Sequence, residues 1–378
     1  MEKIMEKLRE LHVDKHVEKT EYMRKGADLI AYVHAEVPTS ACAELEGKEI
    51  KAISNLREPF DARLHIFPMK EEELRRAGRF TVHLKGVIHK DYAADIVIEF
   101  DEGSIVDPET AAVRPDRHLS FREVLEEGEA EGVVWSIRDY RTPGGDPVIV
   151  YVLKADPEKV RFIAGTPDGE TAFTPKHIKT VMEECEAQEK AGETVLAASN
   201  ADFFDMFGNC RPSGLCVHKG ICVANPDTEN PFFAVTKEGR PVIGRLSEYP
   251  LETLEEALGG GQVILREGKP CELALLENFG EVAHPRTAFG ITEDGHVIVM
   301  VVDGRRPSWS NGAALIELVG LMKEQGAVIA MNTDGGGSST MIVRKAEGLE
   351  MINHPADLFR PMEDLVRPLY DSLIIVKK

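Results

Sequence analysis

The residues best suited to chemistry lie at positions 332–340, NTDGGGSST, between the apolar runs 326–331 and 341–344, each of which predicts a short buried strand. Glycine loses more backbone freedom on folding than any other residue, so three in a row between strands are costly. They are kept where the main chain needs angles closed to other residues, or where a ligand must touch it closely. Here Asn332 and Asp334 precede Gly335, Gly336 and Gly337, and Ser338, Ser339 and Thr340 follow. An amide, a carboxylate and three hydroxyls around bare backbone suit a polar ligand, anionic or sugar-like. The same composition also makes a glycine-rich turn closed by Ser and Thr side chains. A Walker-type phosphate loop is not expected, because neither a Lys nor a helix pattern follows the glycines.

Other polar clusters also sit at the ends of apolar runs, where sites are commonly built. SNADFFD at 199–205 follows the run 194–198, GNCRPSG occupies 208–214, Arg286 opens the run 286–291, and DGRR at 303–306 closes the run 296–302. Turns at 219–220 and 293–295 predict hairpins. Two segments carry the helical period: 176–191, with Ile178, Val181 and Met182 on one face, and 311–325, with Asn311 as cap and Gly326 as stop. Residues 3–25 also read as an amphipathic helix. Between 27 and 100 short apolar runs predict strands, with one or two helical turns at 71–76. The acidic segment 101–132 is taken as a boundary, which gives an N-terminal α+β domain over 1–125 and a second domain over 126–378. Strands and helices in this order predict an α+β fold, a mixed sheet flanked by helices.

The chain has 378 residues and a formal charge of -20. That balance argues against nucleic acid as a partner, which needs a basic footprint. No apolar stretch is long enough for a membrane span. The first ten residues lack the apolar core of a secretory signal, so a cytoplasmic protein is expected from the sequence as it stands, with export by a removed leader as the alternative. Cys210, Cys216 and Cys222 do not have the spacing of common zinc sites and are read as free or buried thiols.

Asn200 to Phe204, Arg211 to Gly214, Arg286 to Gly290, Asp303 to Arg305, the 332–340 loop and Arg367-Pro368 occur in an order that resembles the phosphodiester glycosidases, the family of the lysosomal uncovering enzyme. The resemblance covers about residues 130–378. Members more often have Gly where this chain has Ala201. The resemblance implies hydrolysis of a sugar-1-phosphodiester, so the expected partner is a small phosphosugar or a glycan phosphodiester.

Such a substrate asks for guanidinium on the phosphate, for which Arg286, Arg305 and Arg211 are candidates; Arg306 is read as a structural ion pair. It also asks for a carboxylate where positive charge builds on the sugar ring. Asp334 is the first choice, followed by Asp303 and Asp202. Asn200, Asn332, the three glycines and the hydroxyls of Ser338, Ser339 and Thr340 would bind sugar or phosphate oxygens. No cofactor is required, although Asp202, Asp205 and Asp303 offer the oxygens a divalent cation favours. The alternatives are a serine hydrolase using Ser338 or Ser339 with His284 or His354, a sugar-binding module without turnover, and a phosphodiesterase that attacks phosphorus.

Overall fold

The computed structural model describes residues 17–25, 28–35, 39–52, 64–86, 93–106, 118–271, 283–360, 363–364 and 366–378. It divides into two compact units, Met1–Ala112 and Val113–Lys378. The first has two four-stranded sheets, a short helix Glu71–Ala77, and its own core, which includes Tyr22, Leu29, Phe67, Phe80 and Val82. Residues 17–25, read as part of a helix, are a strand paired with Asp28–Ala35. The rest of that expected helix lies outside the described residues.

The described residues of the second unit form three large sheets and a two-stranded pair, Leu358–Arg360 with Glu363–Asp364. The largest runs in the order Lys269–Pro270, Gln262–Arg266, Ala327–Asn332, Arg286–Thr292, Val297–Val302, Pro147–Ala155, Val133–Arg141, Ser120–Ala130. A five-stranded sheet runs Val160–Gly165, Ser372–Lys377, Val195–Asn200, Met341–Lys345, Gly348–Met351. The third contains the hairpin Cys216–His218 and Ile221–Ala224, beside Leu254–Gly259, Phe232–Thr236 and Pro241–Gly244. Every pairing in these three sheets is antiparallel.

The α+β expectation is therefore corrected to a mostly β fold. Among the described residues there are three α-helices, of seven, ten and ten residues. The physical reason lies in the connections. Short Gly-containing turns join neighbouring apolar runs as antiparallel hairpins, which leaves few segments long enough to be crossover helices.

Central strands are apolar on both faces, so each alternates between two cores. Ile149, Tyr151 and Leu153 face a core shared by all three sheets, while Val148, Val150 and Val152 face a second core that includes Leu315, Leu318 and Met322 of the helix Leu315–Glu324. Phe162, Phe233 and Phe289 come one from each sheet and meet edge to face, with centroids 5.9 and 5.5 Å apart. Each such pair contributes about 0.5–1.5 kcal/mol beyond its buried area.

Two local expectations change. Asn311 does not cap its helix; the helix begins at Leu315, and the Ala314 N–H is satisfied by Glu317 Oε2 at 2.8 Å. The other helix, Val181–Lys190, starts with a reciprocal cap between Thr180 and Glu183. The acidic segment 101–132, read as a boundary, contains the division between the two units, and its later part forms an edge strand, Ser120–Ala130, exposed along most of its length. Charge on both faces keeps such an edge from pairing with other chains.

Because the cores of the second unit draw only on residues beyond 113, a chain beginning at Val113 should fold with a single cooperative melt. A chain beginning at 126 loses half of the edge strand and the Phe121–Tyr140 ring contact. It should melt several degrees lower, at about 2–4 °C per kcal/mol for a domain of this size. An insoluble Val113 chain would show that the second unit cannot stand alone.

Candidate active site

Strand register brings the polar clusters to one end of two sheets. Asn200 pairs with Ser372 and Ser199 with Met341, so the 200–202 segment, the start of the last strand and the end of the glycine loop are neighbours. Ala288 pairs with Asn332 and Arg286 with Val302, which places Arg286 and Asp303 at the matching end of the larger sheet. The glycine loop bridges the two sheets. Its backbone donates from Thr333 to Thr287 O at 2.8 Å, from Asp334 to Ala201 O at 2.9 Å, and from Gly336 to Pro285 O at 3.0 Å.

Asn200, fully buried, holds this junction. Its Nδ2 donates to Asp334 O at 2.7 Å, and its Oδ1 accepts from Thr287 Oγ1 at 2.8 Å and from Thr340 N at 3.0 Å. Asn332 Nδ2 donates to Thr333 O, while its buried Oδ1 has no partner among the described residues. The glycines have distinct reasons. Gly336 takes φ +62° in a 3-10 turn beneath the Arg305 guanidinium, and a side chain on Gly337 would collide with the Asp357 carboxylate. Asp357 in turn accepts two hydrogen bonds from Arg367, at 2.9 and 2.6 Å, and Arg367 donates to Ser338 Oγ at 3.3 Å. Thr287 Oγ1 lies 3.4 Å from Ser339 Oγ. The two serine hydroxyls are thus engaged by an arginine and a threonine rather than by a histidine.

The candidate cations separate into two groups. Arg305 is exposed, takes the left-handed φ of 59°, and has no hydrogen bond or ion pair among the described residues. Arg286 donates from Nε to Ala313 O at 3.0 Å; burial lowers its pKa to about 10, with Arg305 adding to the fall and Glu317 opposing it. His284 feels both guanidinium charges and, with burial as the larger cause, is held below the ordinary imidazole value. Arg211 has contacts of its own. Its guanidinium lies over Phe173 at 5.0 Å and donates to Asn225 Oδ1 at 2.9 Å. Arg306 donates to the Pro355 carbonyl at 2.6 Å.

The carboxylates also differ. Asp303 is buried, and its oxygens accept from Tyr151 OH at 2.7 Å, Trp309 Nε1 at 2.9 Å, Asn353 Nδ2 at 3.2 Å and His354 N at 3.0 Å. Burial still leaves its pKa raised. So many donors make it a brace for the surrounding loops. Asp202 Oδ2 accepts from Gly214 N at 2.5 Å, and Asp202 N donates to Asp371 Oδ1 at 2.8 Å. Asp202 Oδ1 and Asp371 Oδ2 are buried without partners among the described residues. Burial raises both pKa values, Asp371 to about 7, and the charge of Asp334 raises them further. Asp334 itself is half-buried, with its backbone N–H and carbonyl both held. Asp205 accepts from Gly208 N at 2.9 Å and Asn209 N at 3.2 Å, closing its own turn. Among the described residues no three His, Cys, Asp or Glu side chains gather as a metal site.

Asp371, Thr287 and Asp357 belong to this region and were not among the expected site residues; His284 was expected only as the base of a serine hydrolase, and Arg367 only as part of the resemblance. Asp371 carries the signal that marked Asp202 and Asp303, a carboxylate at the end of a buried strand. The arrangement as a whole fixes one carboxylate, one unpaired guanidinium and a bare glycine turn at the junction of two sheets.

Residues 193–374, just under half of the chain, match the family model described as phosphodiester glycosidase. It is 28% identical to mouse N-acetylglucosamine-1-phosphodiester alpha-N-acetylglucosaminidase over 179 residues, 42% of this chain and 33% of that protein. The Bos taurus enzyme of that name is 28% identical over 242 residues, 59% of this chain and 44% of that protein. The matches thus span less than half the length of these relatives. The zebrafish catalytic domain, auto-inhibited by its pro-peptide, shares the fold at a TM-score of 0.54 and 21% identity, covering 70% of this chain and 92% of that one. A hypothetical protein from Synechocystis does so at a TM-score of 0.51 and 11% identity, covering 95% and 76%.

The buried Asp202–Asp371 pair predicts a pH dependence of stability. A carboxyl group whose folded pKa is raised contributes fully below its unfolded pKa and loses that contribution as pH rises through the folded value, here from about 4 to about 7. Asp371→Asn keeps the acceptor for Asp202 N and removes the titration. Its melting temperature should therefore exceed that of the parent at pH 8 and converge with it near pH 4.5, within a limit of about 1.4 kcal/mol per pH unit for one proton. Parallel melting curves for the two proteins across this range would assign the pair no such role.

Proposed function

We propose that this chain hydrolyses a sugar-1-phosphodiester, such as an N-acetylglucosamine-1-phosphodiester, to free sugar and a phosphomonoester. The observation that carries this reading is the placement of Asp334 and Arg305 across the Gly335–Gly337 turn, an acid and an unpaired cation beside bare backbone. A phosphodiester carries one negative charge, which Arg305 would bind with Arg286 behind it. On the other side, the anomeric carbon gains positive charge as its bond to oxygen lengthens, and Asp334 is the carboxylate placed to stabilise it, by direct attack or by activating water.

Phosphate leaves readily, so a strong general acid is not required. Asp303 and Asp202 serve as positioning residues in this reading, because their oxygens are held by Tyr151, Trp309, Asn353 and the backbone of His354 and Gly214. The unpartnered Oδ1 of Asn332 offers an acceptor to a sugar hydroxyl or N-acetyl N–H. The match to the phosphodiester glycosidase family model and the names of the mouse and Bos taurus relatives support the substrate class.

Release of reducing sugar from an N-acetylglucosamine-1-phosphodiester tests the reading, with UDP-sugars as a second panel. Asp334→Asn should lower kcat by about 10² to 10⁴ with KM little changed. Arg305→Ala should raise KM more than it lowers kcat. Tight binding of the diester without turnover would make the protein a phosphosugar-binding module instead.

A further inference from the structure

Most described arginines of this acidic chain are paired with carboxylates, among them Arg76, Arg141, Arg161, Arg266, Arg344 and Arg367. Arg305 is not, and beside it stands a second group without a hydrogen-bond partner among the described residues, the half-buried imidazole of His284. The backbone at His284 is pinned from two directions. His284 N and O exchange hydrogen bonds with Ala313 at 3.2 and 3.0 Å, and the Ala313 carbonyl also accepts Arg286 Nε at 3.0 Å. The next carbonyl, of Pro285, accepts the Gly336 N–H at 3.0 Å. His284 is thus held by the same short segment that anchors both Arg286 and the glycine turn.

We propose that His284 is the proton-linked third member of an anion-binding cluster with Arg286 and Arg305, so that the site takes up a proton when it binds a tetrahedral oxyanion. The inference deepens the proposed function, naming a specificity residue for the phosphate half of the substrate, and rests on it only for the identity of the anion. In the empty site two guanidinium charges oppose a third positive charge, so the imidazole is neutral and offers one N–H. An anion seated among the three groups cancels that repulsion and stabilises the imidazolium, which then holds the anion more tightly. Binding therefore strengthens as pH falls through the bound-state pKa and levels off below the free-state one. The other charged groups bearing on the cluster are Glu317, which favours charged Arg286, Asp334 on the facing glycine loop, and the Asp202–Asp371 pair, which feels the charge of Asp334. Those carboxylates are the competing sites for the proton.

Sulfate separates the possibilities, because it is tetrahedral and does not titrate between pH 5.5 and 8. Titration calorimetry of the full chain with sodium sulfate, in two buffers of different ionisation enthalpy, counts the protons taken up. The parent should bind sulfate about five- to tenfold more tightly at pH 5.5 than at pH 8, with fractional proton uptake between; a tenfold change corresponds to one pKa unit. His284→Gln retains a donor and loses the titration, so its affinity should change less than about twofold over the same range. His284→Asn serves as a second variant if the first melts early. Uptake that persists in the histidine variants and disappears in Asp371→Asn would move the proton to the carboxylate pair and overturn the proposal. Absence of sulfate binding by the parent would also overturn it. Sulfate binding needs no turnover, so a protein that passes this test but releases no sugar would retain the cluster and lose the glycosidase reading.

Discussion

The structure of the site depends on one buried amide. Asn200 joins three segments that are far apart in sequence: it donates to the carbonyl of Asp334, and it accepts from the hydroxyl of Thr287 and the backbone of Thr340. Each of these groups is shielded from water, and a buried polar group left unpaired costs about 1–3 kcal/mol. Satisfying all three with one side chain fixes how the glycine loop sits between the two sheets. An aspartate there would lack the donor for the Asp334 carbonyl, and an alanine would leave three groups unmet.

Around that junction the charges divide by solvent access. Asp303 and the Asp202–Asp371 pair are buried, and they hold loops in place at the expense of raised pKa values. Asp334 is half-buried and Arg305 exposed, so both are open to solvent. Arg286 lies between the two groups, buried enough to lose some of its basicity and still close to Arg305 and His284.

Much of this was legible in the sequence where the signal was local. Apolar runs bounded by Gly-containing turns marked the strands 133–141, 147–155, 286–292 and 297–302, and polar clusters at their ends marked the region of the site. The fold class was not legible in the same way, because the two strong helical stripes suggested more helix than the short turns between strands leave room for. Strand Ser120–Ala130 escaped notice because an edge exposed on both faces shows no alternation of apolar and polar residues. The bracing role of Asp303 was hidden too, since Tyr151 and Asn353 reach it only through tertiary packing. Arg211 read as a phosphate ligand by type, while its ring stacking on Phe173 depends on a residue 38 positions earlier, and nothing in the local pattern announces it.

The central claim is that a carboxylate at Asp334 directs water to the sugar carbon, and the fate of the oxygen tests it most directly. Hydrolysis of a sugar-1-phosphodiester in heavy-oxygen water, followed by mass spectrometry at early times before the reducing sugar exchanges, shows which bond breaks. The account predicts label at the anomeric carbon and none in the phosphomonoester, because the C–O bond breaks and phosphate keeps its bridging oxygen. Label in the phosphate would mean attack at phosphorus, and would leave Asp334 as a residue that shapes the glycine turn.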